Sequence, residues 1–330
     1  MALLQDGALF RYNDLEADIK PRTPEGFRLY FAGNTSKNTY FHLTRYGAHR
    51  LNSQLLDKHL ISRWVESRKN GEALGELMID SGAHTAFYTG EKLDVEAYIQ
   101  YLNSIDDHVK VSVQADRVPN HGANGIEDFE IAPKENWENY LYMREKLKSP
   151  EKLLPVFHIG ESFDWLLNMI NWRGENGEKV SYIGIAARQE DPWPHKIRFI
   201  EKCFAVIKKS SQPDIKTHAL GMTKLIVLEQ YPFTSADSTT WVINAAMGMI
   251  MTPVGNVVVS KKSTHNPASY YRLPKSAQEI VREYAGKYGM TIEDLTEDYS
   301  ARAVLNIHFL LDWARNYEYK PSSIKRKKLI

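Results

Sequence analysis

Short apolar segments alternate along most of this chain with longer segments whose apolar residues have helical spacing. The short segments are almost continuously apolar, as expected for strands that are buried on both faces of a parallel sheet. This pattern predicts strands at Arg28–Phe31, Leu77–Asp80, Val109–Ala115, Leu153–His158, Tyr182–Ala186, Lys216–Leu220, Phe233–Asp237 and Met251–Val259.

The segments between the predicted strands indicate helices. Asp94, for example, is a typical N-cap residue and precedes an apolar stripe that includes Val95, Tyr98 and Leu102. Eight strands that alternate with helices favour a (β/α)8 barrel of the TIM type, with a doubly wound open sheet as the alternative. No glycine-rich phosphate-binding motif follows the first strand, which disfavours a nucleotide-binding open sheet.

The pattern changes after Val259. The segment Lys261–Arg272 is polar and irregular, and Ser276–Tyr288 and Ala301–Tyr317 then have helical spacing. We therefore predict a barrel domain at residues 1–260 and a helical C-terminal extension with a basic tail at residues 261–330.

Composition narrows the class of protein. The 330 residues include 42 lysines and arginines, 41 aspartates and glutamates, and one cysteine, Cys203. A single cysteine excludes an intramolecular disulfide, a cysteine-rich zinc site and a cysteine-held iron–sulfur cluster. The nearly balanced charge disfavours a protein that coats nucleic acid but allows a local basic patch. No signal peptide is recognisable and polar residues interrupt the longest apolar region, so we expect a cytoplasmic protein without a membrane span.

The carboxyl ends of the predicted strands carry the candidate chemistry, because catalytic groups of α/β barrels lie at that end. Asp80, Asp116 and Asp237 end or follow three strands, and His158 and His218 lie in two others. One aspartate after a strand is often only a helix cap. Three aspartates that converge on one rim indicate an active site.

Two kinds of chemistry fit these side chains. One carboxylate can attack an anomeric carbon while another transfers protons. Alternatively, His158, His218, Asp80 and Asp237 can hold a divalent metal that activates water, although the H-x-H pair of many metal-dependent barrels is absent. A third hypothesis is a barrel that binds nucleic acid without catalysis.

Five segments, taken in order, resemble a known enzyme superfamily. They are Asp80-Ser81-Gly82, the FHIG run at Phe157–Gly160, Gly184-Ile185-Ala186, the HALGMT run at His218–Thr223, and Asp237. Together they resemble the tRNA-guanine transglycosylase (queuine tRNA-ribosyltransferase) superfamily. The closer similarity is to its compact phage and bacterial relatives, the DpdA-type DNA-guanine transglycosylases.

The resemblance implies a (β/α)8 enzyme that needs no cofactor or metal and exchanges guanine in a polynucleotide for a 7-deazaguanine such as preQ0. It implies that Asp237 is the nucleophile, which holds the nucleic acid covalently at C1′, and that Asp80 transfers protons. The resemblance further implies a pocket for the exchanged base that is formed by Ser81, Asp116, His158, Gly184 and His218.

Three departures from the tRNA enzymes favour DNA as the partner, with tRNA as the alternative. The structural zinc site of those enzymes needs three cysteines, and this chain has one. Ser238-Thr239-Thr240-Trp241 replaces their basic motif after the nucleophile, and His158 replaces a glutamine. If a phage encodes the chain, we expect it in the host cytoplasm. Contacts with the phosphate backbone are expected from Arg188, Lys261, Lys262, Lys325 and Arg326.

Overall fold

A continuous sheet of nine parallel strands is present in the computed structural model, which describes residues 26–119, 125–188, 190–261 and 264–320. The strands are β1 (Arg28–Phe31), β2 (His49–Ser53), β3 (Leu77–Asp80), β4 (Val111–Val113), β5 (Leu153–Leu154), β6 (Val156–His158), β7 (Tyr182–Ala186), β8 (Lys216–Leu220) and β9 (Ser235–Ser238). Their order in the sheet is β5-β4-β3-β2-β1-β9-β8-β7-β6.

The sheet forms a ring of eight strand positions because the consecutive short strands β5 and β6 together act as one barrel strand. Pro155 separates them, and a proline has no amide hydrogen for the ladder. β5 pairs with β4, and β6 pairs with β7. The carbonyl of Pro155 also accepts a hydrogen bond from the amide of Gly184 at 2.8 Å. The prediction of a (β/α)8 barrel is therefore confirmed.

Helices surround the ring, and the main hydrophobic core lies between these helices and the outward faces of the strands. Leu29 and Phe31 of β1 point outward into this core, whereas Tyr30 points into the barrel with Met78 of β3. Asp94 caps its helix as predicted, since its carboxylate accepts a hydrogen bond from the amide of Ala97 at 2.9 Å. The helices of the described ranges are α1 (Lys37–Arg45), α2 (Lys58–Lys69), α3 (Ala83–Thr89), α4 (Val95–Ser104), α5 (Gly125–Lys146), α6 (Phe163–Asn171), α7 (Trp193–Lys208), α8 (Leu225–Leu228), α9 (Thr240–Ala246), α10 (Lys275–Lys287), α11 (Ile292–Glu297) and α12 (Tyr299–Arg315).

One barrel strand differs from the sequence prediction. The ring includes the strand β2, which is absent from the prediction. The apolar pattern misses it because Arg50 and Asn52 within it are polar. Both side chains are nevertheless buried, and the guanidinium of Arg50 donates a hydrogen bond to the carbonyl of Gly33 at 2.9 Å. A buried strand that contains polar residues is therefore mistaken for a loop when only hydrophobicity is considered.

The predicted strand at Met251–Val259 is wrong as a barrel strand. This region forms an antiparallel hairpin of β10 (Met249–Thr252) and β11 (Gly255–Val258), in a separate sheet. Its apolar residues, among them Ile250 and Val257, pack in a second core with residues of α10, α11 and α12. The hairpin is apolar because the C-terminal helices cover it.

The C-terminal helix α12 packs against α1, α9 and β10. Its residues Ala303, Ile307 and Leu310 belong to the main core between the strands and the helices. The division into residues 1–260 and 261–330 stays a prediction, and residues 321–330 lie outside the described residues. None of the helices in the described ranges is long and apolar enough to span a membrane.

Candidate functional site

A cavity of about 520 Å³ opens at the carboxyl ends of the barrel strands. Asp80, Asp116, His158, Arg188 and Asp237 are among the residues that line it. Side chains on a strand alternate between its two faces, so residues two positions apart point the same way. Asp80, His158 and Asp237 each follow by two positions a residue of the same strand that faces the barrel interior: Met78, Val156 and Ser235. The strands therefore direct Asp80, His158 and Asp237 toward the same space.

The Asp237 carboxylate is held in place from one side. Its Oδ1 accepts a hydrogen bond from the amide of Gly221 at 3.1 Å and lies 3.4 Å from Nε2 of His218. The hydroxyl of Thr223 donates to the main-chain carbonyl of Asp237. Both carboxylate contacts fall on Oδ1, and the side chain is 13% exposed. Oδ2 is therefore available to a molecule in the cavity.

Asp80 has a different electrostatic environment. Its Oδ2 accepts a hydrogen bond from the amide of Gly82 at 2.9 Å. Burial and the nearby carboxylates of Asp116 and Asp237 together raise the pKa of Asp80 to about 7, although the hydrogen bond from the Gly82 amide opposes this rise. A carboxyl group that is partly protonated at neutral pH is suited to both donating and accepting a proton.

His158 lies between two carboxylates. Its Nε2 is 2.8 Å from Oδ2 of Asp116, and its Nδ1 is 2.9 Å from Oε1 of Glu161. Burial lowers the pKa of His158, but the charges and hydrogen bonds of Glu161 and Asp116 outweigh burial and raise it to about 10. The imidazole therefore carries a positive charge at neutral pH.

Three residues predicted to bind the base do not line the cavity. Ser81 lines a smaller cavity of about 170 Å³ beside α4. Gly184 lies deeper in the barrel, where an added Cβ would be 2.8 Å from side-chain carbons of Leu154 and Leu220. His218 is completely buried and is hydrogen-bonded to the hydroxyl of Ser235. Base binding by these three residues stays a prediction.

The predicted contacts with the nucleic-acid backbone are only partly described. Arg188 lines the cavity and forms an ion pair with Asp191 at 2.9 Å. Lys261 is exposed and forms an ion pair with Glu297 at 2.9 Å. The three other predicted contacts, Lys262, Lys325 and Arg326, lie outside the described residues.

Glu161 and Lys196 are residues of the site that sequence reasoning missed. Lys196 lines the cavity, is 4% exposed, and has its ammonium group 5.3 Å from the centre of the Trp193 ring. Burial lowers the pKa of Lys196. A Trp-x-x-Lys pair at the start of the helix after β7 is the signal that could have identified it, because positions i and i+3 share one helix face.

The ligands of the alternative metal hypothesis are not arranged around a metal position. Both ring nitrogens of His158 are engaged by carboxylates, and a metal ligand needs a free lone pair. Among the described residues, no group of three or more histidine, cysteine, aspartate or glutamate side chains has a geometry that could hold a metal ion.

The fold and the site together define a (β/α)8-barrel protein with a cavity at the carboxyl ends of its strands that is lined by three aspartates and by basic residues. No family model matches the chain, and it has no match among curated proteins.

Proposed function

We propose that this protein is a base-exchange pentosyltransferase that replaces guanine in DNA with a 7-deazaguanine such as preQ0. One observation carries the proposal. Asp237, with Oδ1 held by the Gly221 amide, and Asp80, with a pKa raised to about 7, face the same cavity. A fixed carboxylate nucleophile and a carboxyl group that transfers protons are the two groups that exchange at an anomeric carbon needs.

In the first half of the reaction, Oδ2 of Asp237 attacks C1′ of the deoxyribose. The C1′–N9 bond breaks, its electron pair leaves with guanine, and Asp80 supplies the proton that the departing base takes up. In the second half, the incoming base gives a proton to Asp80, and its nitrogen attacks C1′. The C1′–O bond to Asp237 then breaks, so that both carboxyl groups return to their original states.

The size of the cavity supports a base as the ligand. Small-molecule sites typically enclose about 300–1,000 Å³, and the cavity of about 520 Å³ lies within that range. A base in a duplex cannot reach such a site, so the target base must be single-stranded or flipped out, at a cost of about a few kcal/mol. Arg188 lines the cavity, and in this proposal its guanidinium contacts an adjacent phosphate.

Incorporation of labelled base tests the proposal. The purified protein is incubated with labelled guanine or preQ0 and with guanine-containing single-stranded DNA, duplex DNA or tRNA. We expect label in DNA, loss of incorporation in Asp237→Ala and Asp237→Asn, and wild-type incorporation in Glu138→Gln, which changes an exposed carboxylate on α5. Label in tRNA alone would select the alternative partner. Absence of label from every polymer would overturn the proposal.

A second measurement examines the covalent step. When the incoming base is omitted, the enzyme is expected to remain attached to DNA through the Asp237 ester. A DNA–protein adduct should then appear on a denaturing gel, disappear on addition of preQ0, and be absent from Asp237→Asn. An adduct of equal yield in Asp237→Asn would refute Asp237 as the nucleophile.

A further inference from the structure

The contacts of His158 require a proton on each of its ring nitrogens. An ionised carboxylate only accepts hydrogen bonds, and a neutral imidazole has a single N–H to donate. Nε2 nevertheless lies 2.8 Å from a carboxylate oxygen of Asp116, and Nδ1 lies 2.9 Å from one of Glu161. Both contacts are favourable only when the ring is an imidazolium.

We propose that His158 is a positively charged positioning residue which, together with Glu161, fixes the Asp116 carboxylate for recognition of the exchanged base and does not itself contact that base. Both N–H groups of the ring are consumed by the carboxylates, and the residue is only 5% exposed. The identity of the base as ligand rests on the proposed function, whereas the charge of His158 does not.

Asp116 is the member of this group that is available to a ligand. It lines the cavity, and its hydrogen bond to His158 uses Oδ2. Oδ1 can then accept hydrogen bonds from N–H groups at the edge of a base. Asp80 and Asp237 line the same cavity, so an unpaired Asp116 would be repelled by like charges. The imidazolium offsets this repulsion and holds the Asp116 carboxylate in one orientation.

Glu161 explains how a charged histidine is stable at this depth. Its side chain is 1% exposed, and its Oε2 is buried without a hydrogen-bond partner in the described part of the chain. Burial of an unpaired charge is costly, so the Glu161 carboxylate and the His158 imidazolium stabilise each other at this depth. Asp116, His158 and Glu161 together carry one net negative charge, which suits a ligand edge rich in N–H donors.

The charge of His158 can be measured without any assay of activity. Near neutral pH, nitrogen NMR of isotope-labelled protein should show both ring nitrogens of His158 protonated, with the resonances assigned by their loss in His158→Gln. Asp80, Asp116, Glu161 and Asp237 favour the cation, whereas Arg188 and Lys196 at the same cavity oppose it. A ring with one unprotonated nitrogen would overturn the proposal.

Binding of free preQ0 or guanine, measured by calorimetry, tests the positioning role. Loss of a hydrogen bond to a charged group weakens binding by about tenfold or more, so we expect that loss in Glu161→Gln and His158→Gln. In the exchange assay the same variants should raise KM for the base and leave kcat nearly unchanged. The exposed His195→Gln on α7 is the control.

The outcomes separate the two proposals. If His158→Gln binds the base as tightly as wild type, His158 does not position Asp116 and the inference fails, whatever the exchange assay gives. If wild type binds the base with a protonated His158 but labels no polymer, the proposed exchange fails and the role of His158 stands.

Discussion

The imidazole of His218 lies beneath the Asp237 carboxylate, with Nε2 3.4 Å from Oδ1. Its Nδ1 is hydrogen-bonded to the hydroxyl of Ser235, which is also hydrogen-bonded to the hydroxyl of Tyr182. A direction of donation from Tyr182 to Ser235 to His218 leaves the ring proton on Nε2, pointing at Asp237. Since 3.4 Å exceeds the usual hydrogen-bond distance of about 2.7–3.2 Å, the contact orients Asp237 mainly by electrostatic attraction.

Replacement of His218 by phenylalanine should therefore impair the chemical step and spare base binding. Misplacement of a reacting group by about 1 Å can lower the rate about 100-fold, and we expect a fall in kcat approaching this size with little change in KM. Steady-state kinetics of base exchange provide the measurement. A higher KM at unchanged kcat would instead support the base-binding role predicted from the sequence.

The pKa of Asp80 predicts how activity depends on pH. Because burial and neighbouring carboxylates raise this pKa to about 7, the protonated form that supplies the leaving base with a proton is lost as the pH rises through that value. We expect kcat/KM to fall over this range, and Asp80→Asn to lower kcat by about 10²–10⁴-fold. Residual activity of Asp80→Asn that still falls at the same pH would assign the titration to another group.

Asp80 should also affect the dependence of stability on pH. Its pKa is 3.8 in the reference state and about 7 in the fold, so the folded protein binds more protons than the unfolded chain between these values. Stability contributed by this group is therefore present at low pH and lost as the pH rises through about 7. Thermal denaturation should show that Asp80→Asn is stabilising at pH 8 relative to wild type, and that this advantage shrinks toward pH 4.

Periodicity predicts the barrel because most of its strands are apolar on both faces. The strand β2 escapes this signal, since the buried Arg50 finds its hydrogen-bond partner only when the chain has folded and Gly33 is brought beside it. The hairpin of β10 and β11 satisfies the same apolar signal without joining the ring. Its partners are the C-terminal helices, and no local pattern specifies whether an apolar segment meets a sheet or a helix.

The sequence predicts only those residues of the candidate site that lie at the ends of apolar strands. Asp80 and Asp237 follow from their positions at the ends of apolar strands, and both line the cavity. His218 lies deeper in the barrel than Asp237 because it pairs with Ser235, two residues before Asp237 on β9. This strand register is not visible in the sequence. Glu161 depends on a tight turn after β6 that returns it to His158, and its type alone does not distinguish it from a surface glutamate.

Gly160 makes that turn possible, and its replacement by alanine should be costly. It adopts φ of 100°, and an added Cβ would lie 2.3 Å from a ring carbon of Phe129. We expect Gly160→Ala to destabilise the protein by about 1–3 kcal/mol or more, measured by denaturation. Gly177→Ala is a matched control, because Gly177 has φ of 81° but no atom within 4 Å of an added Cβ. Equal losses in both variants would show that contact with Phe129 is unimportant.

Asn306 of α12 joins the C-terminal helices to the barrel. Its side chain is completely buried, accepts a hydrogen bond from the amide of Met251 at 2.7 Å, and donates one to the carbonyl of Trp241 at 3.0 Å. Asn306→Ala removes both hydrogen bonds from buried backbone groups, so we expect a loss of about 1–3 kcal/mol. Asn316→Ala at the exposed end of the same helix should have little effect.

Because α12 shares the main core with the barrel strands, Asn306→Ala should shift a single cooperative unfolding transition, recorded by calorimetry and by tryptophan fluorescence. Two separated transitions, of which Asn306→Ala moves only one, would instead support an independent C-terminal unit at residues 261–330. The same experiment thus tests the predicted domain boundary through a buried side chain that contacts the helix α9 and the hairpin and belongs to a helix packed in the barrel core.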